Sequence, residues 1–130
     1  TVNNANVIQT QNARDAFKRI DTKNVSIGSS TEPIKKKFTY NKTRVTSVKD
    51  EWNGLNLGST EYVYDTLGRI TGTTYVSNTT ASQETTYQYD EFGQLIRENN
   101  EALDKTYVYE YNSIGNITKC KNLLYSTFFR

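Results

Sequence analysis

Residues 62–70 read YVYDTLGRI, residues 87–95 read YQYDEFGQL, and residues 109–117 read YEYNSIGNI. Each stretch opens with two tyrosines two positions apart, continues with Asp or Asn, and places glycine three residues later. In an extended chain, residues two apart project to one face, so Tyr62 and Tyr64 share a face and Val63 points away. Asp65-Thr66-Leu67-Gly68 then has the composition of a type I β-turn. Asp at its first position accepts backbone N–H bonds, and Gly at its fourth tolerates positive φ. Such a turn closes a hairpin through a G1 bulge, with Arg69-Ile70 opening the return strand. Asp90 and Gly93 repeat the arrangement, and so do Asn112 and Gly115, where Asn keeps the side-chain carbonyl.

The residue after the glycine sets a period. Arg69, Gln94 and Asn116 fall 25 and 22 positions apart. Stepping back by 25 reaches Arg44 in FTYNKTRV (Phe38–Val45), and again Arg19 in RDAFKRI (Arg14–Ile20). The following residue is apolar each time: Ile20, Val45, Ile70, Leu95 and Ile117. A period in this range signals repeated supersecondary units. The Phe38 copy is one residue short and lacks the glycine; the first copy has Lys18 in the glycine position and no tyrosine pair. A short amphipathic helix over Asn12–Ile20 is the competing reading there. The chain therefore divides into a degenerate first repeat or partly irregular cap (1–37), YD-type hairpins (38–122) and an apolar strand or truncated repeat (123–130).

The remainder of each unit must turn the chain back. Asn53-Gly54 is a two-residue hairpin signal, while Asn78–Thr80 and Asn99–Glu101 are polar stretches suited to looser turns. Thr73–Val76, Thr85–Tyr89, Lys105–Tyr111 and Ile117–Lys121 have strand composition. The predicted fold is all-β: consecutive antiparallel β-hairpins forming one long twisted sheet of about ten strands, stabilised by lateral addition because lone hairpins are marginal. Tyr62, Tyr64, Tyr87, Tyr89, Tyr109 and Tyr111 would form rows across neighbouring hairpins, each cross-strand pair contributing roughly 0.5–1 kcal/mol. Ser, Thr, Asn and Gln would dominate the other face.

Composition narrows the function. The 130 residues include ten tyrosines, no methionine, no histidine and one cysteine, which rules out an internal disulfide and a cysteine- or histidine-based metal cluster. The commonest general base is also missing. A net charge of +2 lacks the basic surplus that nucleic-acid binding needs. No run of 18 apolar residues is present to span a membrane. The chain starts at Thr1 without a leader pattern and reads as a fragment or processed piece. No metal, cofactor or catalytic residue is assigned.

The pattern Y-x-Y-D-x-x-G-R-I/L at intervals of 20 to 25 residues resembles the YD repeat, also called the RHS repeat, across Phe38–Asn122 and more faintly across Arg14–Phe38. The family includes bacterial wall-associated and polymorphic toxins, shell proteins of insecticidal toxin complexes, and teneurins. The resemblance implies a non-catalytic structural segment of a large secreted or cell-surface protein, bacterial and associated with the cell wall. Its repeats would contribute to a β-shell that encloses or presents a toxin or partner domain. Its partners would be flanking repeats and that enclosed domain, with no nucleic acid and no membrane span. The self-cleavage segment that some members carry is not recognisable here.

Each candidate residue has two readings. Asp65 and Asp90 are turn caps, or paired carboxylates for hydrolysis. The six tyrosines pack against each other, or form a carbohydrate-binding platform, which makes a carbohydrate or cell-surface binding module the alternative function. Lys35–Lys37 in IKKKFTY are a solvated strand edge, or an anion surface. Arg44 and Arg69 are cross-strand partners, or carboxylate binders. Trp52 is a half-buried anchor, or a platform for a ligand; Cys120 is half-buried and inert, or reactive. The N-x-S/T sites at Asn24, Asn41, Asn78 and Asn116 read as turn chemistry at Asn41 and Asn116. An isolated strip of hairpins would dimerise through its sheet edges.

Overall fold

Every turn of the D-x-x-G type sends the chain back beside the strand it has just left, so antiparallel neighbours are the expected product. In a computed structural model the described residues are 8–28 and 32–124. They form β1 (Ile8–Arg14), β2 (Ile20–Ile27), β3 (Ile34–Asn41), β4 (Arg44–Trp52), β5 (Leu55–Tyr64), β6 (Ile70–Ser77), β7 (Gln83–Tyr89), β8 (Leu95–Asn100), β9 (Lys105–Tyr111) and β10 (Ile117–Leu124). The strand order in the sheet is the order in the chain. The all-β architecture of consecutive antiparallel hairpins is therefore the one that forms, and no helix occurs among the described residues. The stretch from Asn12 to Ile20 is strand, turn and strand rather than helix. Of the C-terminal stretch, Leu123 and Leu124 end β10, and residues 125–130 lie outside the described residues.

Two units divide the chain: Thr1–Glu61 with Tyr75–Ala81, and Tyr62–Thr74 with Ser82–Arg130. In the first, β3 is paired on both sides, with β2 and with β4. The lysines of IKKKFTY are thus not on a sheet edge. Lys36 faces Asp50 across the β3–β4 ladder and its Nζ lies 2.6 Å from the carboxylate. Lys37 and Lys49 both reach Glu51, at 2.7 and 2.9 Å. Their hydrogen bonds and charge hold the Glu51 carboxyl well below the ordinary range, at about 2. Asn53 and Gly54 both take positive φ, 49° and 75°, as a two-residue hairpin between β4 and β5 requires. At Gly58 a Cβ would come within 2.6 Å of the Tyr75 hydroxyl, so the bare backbone there is the seat for that ring.

In the second unit, Tyr87 and Tyr89, Tyr109 and Tyr111 are half-buried, while Gln88 and Glu110 between them are exposed. The same alternation holds for Tyr62, Val63 and Tyr64. The rows are staggered, however. Tyr87 pairs with Glu98, and Glu98 pairs with Tyr107, so the residue in line with Tyr87 is Tyr107 and not its repeat equivalent Tyr109. The turn predicted over Asn99–Glu101 starts later, because Asn99 and Asn100 still belong to β8 and the chain reverses over Glu101–Asp104.

No hydrophobic side chain is fully buried among the described residues; the most enclosed side chains are Asn99 and Thr106, 6% and 1% exposed. A sheet with no layer against it cannot build an apolar interior, so cover comes from neighbours in the same face. Asn99 faces Thr86 on one side and Thr106 on the other. Its amide donates to Thr86 Oγ1 at 3.1 Å, and its carbonyl accepts from Thr106 Oγ1 at 2.9 Å. Across β7, β8 and β9 the half-buried Thr86 and the buried Asn99 and Thr106 thus satisfy one another, as buried polar groups demand.

Candidate functional site

The turns at Asp15, Asp65, Asp90 and Asn112 are each built on one carboxyl or carboxamide oxygen. Asp90 Oδ1 accepts the N–H groups of Phe92 and Gln94 at 3.0 and 2.8 Å. The Gly93 N–H closes the turn on the Asp90 carbonyl, and the Asp90 N–H bonds the Gln94 carbonyl. Asn112 Oδ1 does the same for Ile114 and Asn116, at 3.1 and 2.9 Å, so the amide replaces the carboxylate without loss of a turn bond. Asp65 Oδ1 accepts from Arg69 N, and Gly68 N closes on the Asp65 carbonyl. Gly68, Gly93 and Gly115 take φ of 90°, 82° and 86°. In the first repeat Lys18 takes φ 65° with the same bond, Lys18 N to Asp15 O at 3.0 Å. A non-glycine residue accepts that conformation at some cost because Asp15 and Arg19 fix the turn around it. The Phe38 copy turns in two residues, with Lys42 at φ 53° and Asn41 paired to Arg44.

A second irregularity follows the turns at Asp15, Asn41, Asp90 and Asn112. The ladder slips by one residue between Gln88 and Tyr89, leaving Ile96 as the extra residue on the return strand. Asp21, Thr46 and Thr118 are the corresponding extra residues opposite β1, β3 and β9. The doubled bulge adds local twist and re-aims the strand ends.

The arginine after the turn does more than the sequence showed. Arg69 Nε donates to Asp65 Oδ2 at 2.6 Å, its guanidinium lies 4.7 Å from the ring centroid of Tyr89, and Nη1 reaches the Asp90 carbonyl at 3.4 Å. Arg19 repeats this: Nε to Asp15 Oδ2 at 2.7 Å, guanidinium 4.2 Å from the Tyr40 ring, and a bond to the Lys42 carbonyl. The carboxylate it binds is thus that of its own turn, and the ring it covers is the second tyrosine of the next repeat. The Asp15 carboxyl is held below its ordinary value, chiefly by the Arg19 hydrogen bond. At Asp65 burial pushes the carboxyl up, but the Arg69 hydrogen bonds and charge outweigh it and the net shift is downward.

The second tyrosine also anchors itself. Tyr40 donates to the Ile20 carbonyl at 2.6 Å, Tyr89 to Ile70 at 2.7 Å and Tyr111 to Leu95 at 2.7 Å. Each acceptor is the apolar residue that follows the arginine position in the preceding repeat. Ile20 and Leu95 stand beside the extra residue of a second bulge, where the ladder is irregular, and a hydroxyl one hairpin away meets their carbonyls. The first tyrosines behave differently. The Tyr87 phenol is raised above its ordinary value, mainly by burial, and so is that of Tyr109.

Asp65 and Asp90 sit in successive turns, each engaged by its own turn, and the ladder places Tyr87, Tyr89, Tyr109 and Tyr111 on one face. Trp52 is 47% exposed beside the Asn53-Gly54 turn. Cys120 is exposed rather than half-buried, because β10 has a neighbour only on its β9 side among the described residues. Among the described residues no group of three or more acidic, Cys or His side chains is placed to hold a metal, and no helix is long and apolar enough to cross a membrane. The Arg–Asp–Tyr contact escaped the sequence because it spans two repeats; the recurrence of Arg at a fixed distance after Asp was the signal that could have found it.

A family model described as Teneurin YD-shell matches residues 2–127. No curated protein matches the chain.

Proposed function

This chain belongs to the teneurin YD-shell family, and from that premise we propose that it is a non-catalytic structural segment of a larger YD-repeat protein, continued by flanking repeats along β1 and β10. One observation carries the reading. Every residue of β1 and of β10 is exposed, whereas the strands between them, β3 apart, are largely half-buried. Strands that leave both faces and one edge uncovered are completed by a further hairpin. The parent protein is secreted or displayed at a cell surface, bacterial and wall-associated. Its shell confines a toxin or partner domain whose chemistry lies outside this segment.

The test compares amide exchange in this chain with that in a longer piece of the parent carrying one more repeat on each side. The amides of β1 and β10 should slow by about a hundredfold or more, reaching the rates of interior strands. Equal rates in the two would refute the proposal. The isolated chain should also self-associate through those edges, so a clean monomer at high concentration in light scattering would count against it.

Carbohydrate binding by the tyrosine face is the second reading. It is weakened by the commitment of the Tyr40, Tyr89 and Tyr111 hydroxyls to backbone carbonyls. A glycan array with saturable binding that Tyr87→Ala removes, without loss of folding, would favour it over the shell.

A further inference from the structure

The fourth repeat differs from the first at one decisive residue. In the first, the Asp15 carboxylate, the Phe17 ring and the Tyr40 ring of the next hairpin surround the Arg19 guanidinium, with ring centroids 5.1 and 4.2 Å away. In the fourth, Asp90, Phe92 and Tyr111 hold the same places, but the residue after Gly93 is Gln94, shorter and uncharged. The Gln94 side chain runs in the direction of the arginine it replaces. Its amide nitrogen lies 3.2 Å from where a Cβ on Gly115 would stand, as Arg69 Nη1 lies 3.8 Å from the same point at Gly93.

The substitution leaves two features without their partner. Asp90 spends Oδ1 on the turn. Its Oδ2, the counterpart of the atom that takes the guanidinium at Asp15 and Asp65, accepts from no donor among the described residues. The Tyr111 ring, fixed by its hydroxyl to Leu95, carries no cation among the described residues, unlike Tyr40 and Tyr89. These groups line a groove of about 760 Å³ whose outer walls are Phe92 and Ile114, 81% and 79% exposed. A carboxylate oxygen, an aromatic face and flanking apolar walls together match a planar cation on an aliphatic stem.

We propose that this groove binds the arginine side chain of a partner polypeptide, its guanidinium between Asp90 and Tyr111 and its methylenes along Phe92 and Ile114. The chain itself supplies the template twice, at Arg19 and Arg69. Guanidinium is favoured over ammonium because it stacks on a ring and meets a carboxylate edge-on at once, which a point charge does not. The inference stands on the turn geometry alone and does not depend on the shell reading.

The experiment is a titration of the full chain with N-acetyl-arginine amide, followed by backbone amide NMR shifts. Saturable shifts should appear at Tyr111 and Gly115. The neutral isostere N-acetyl-citrulline amide should give none at the same concentration, and N-acetyl-lysine amide should bind at least several-fold more weakly. Gln94→Arg, which places the chain's own guanidinium in the groove, should abolish binding and raise the melting temperature. Asp90→Asn should weaken binding at least tenfold with the turn intact, because Asn112 makes the same turn. The proposal is overturned if the wild-type chain shows no saturable shift, if citrulline or lysine amide binds as well as arginine amide, or if Gln94→Arg binds undiminished. Should Asp90→Asn fail to fold, the Gln94→Arg result decides alone.

Discussion

The two ends of the hairpins are built on different rules. At the YD end the chain reverses with the same five-residue device at Asp15–Arg19, Asp65–Arg69, Asp90–Gln94 and Asn112–Asn116, while the shorter Asn41–Arg44 turn departs from it. At the other end no two described connections agree. Asn53-Gly54 is a two-residue turn, Ser77 Oγ caps Thr79 and Thr80 at 3.3 and 3.1 Å, and Glu101–Asp104 closes on Asp104 at φ 52°. The difference locates the structural constraint. The YD turns must set the strand offset that brings each tyrosine to a carbonyl of the preceding repeat, whereas the opposite turns need only return the chain.

Substitutions can break this contrast directly. Gly93→Val should cost about 2 kcal/mol in urea unfolding, because a β-branched residue is forced to positive φ. Thr79→Val at the other end should stay within about 0.5 kcal/mol. Equal losses at both ends would erase the distinction. Asp90→Ala removes the acceptor of two backbone N–H groups and should cost about 1 kcal/mol, with Asp90→Asn restoring most of it. Tyr89→Phe deletes only the hydroxyl that meets the Ile70 carbonyl and should cost about 1 kcal/mol. The same deletion at Tyr75, whose ring lies over Gly58 at 40% exposure, should cost less.

Acid sharpens the comparison with smaller effects. Asp15 and Asp65 at the YD end and Glu51 near the opposite end are all depressed below their ordinary values. Depressed carboxyls contribute stability that is fully present above the unfolded value and is lost as pH falls through the folded one. For Glu51 that window runs from about 4.5 down to about 2. Stability should therefore decline across it, and Glu51→Gln should flatten the decline by removing the contribution that Glu51 makes at neutral pH, so that wild type and variant converge as pH falls through the window. A pH profile unchanged by Glu51→Gln would mean that the Lys37 and Lys49 pairs are screened in solution, as exposed ion pairs commonly are.

The misreadings share a cause. Lys35–Lys37 looked like an edge because lysines guard edges, but β3 has neighbours on both sides, and the carboxylates of Asp50 and Glu51 come from a strand the lysines cannot anticipate. With Lys18 in the glycine position a short helix over Asn12–Ile20 competed with a degenerate repeat, yet the Asp15 oxygen and the Arg19 clasp hold the turn with lysine in it. In both cases groups from outside the local window contribute: Asp50 and Glu51 for the lysines of β3, and the Tyr40 ring and Lys42 carbonyl for the Arg19 side chain.

The sequence by itself determined the number of hairpins, the YD turns and the alternation of tyrosine with exposed residues. These depend on side chains within a few residues of one another and on the two-residue pleat. Only the tertiary structure decided which groups meet between repeats: Tyr87 in line with Tyr107, the tyrosine hydroxyls on Ile20, Ile70 and Leu95, and each arginine between its own aspartate and the next ring. Those pairings follow from the stagger between hairpins. A second bulge after the turns at Asp15, Asn41, Asp90 and Asn112 displaces the return strand by one residue, and that displacement is a property of the assembled ladder.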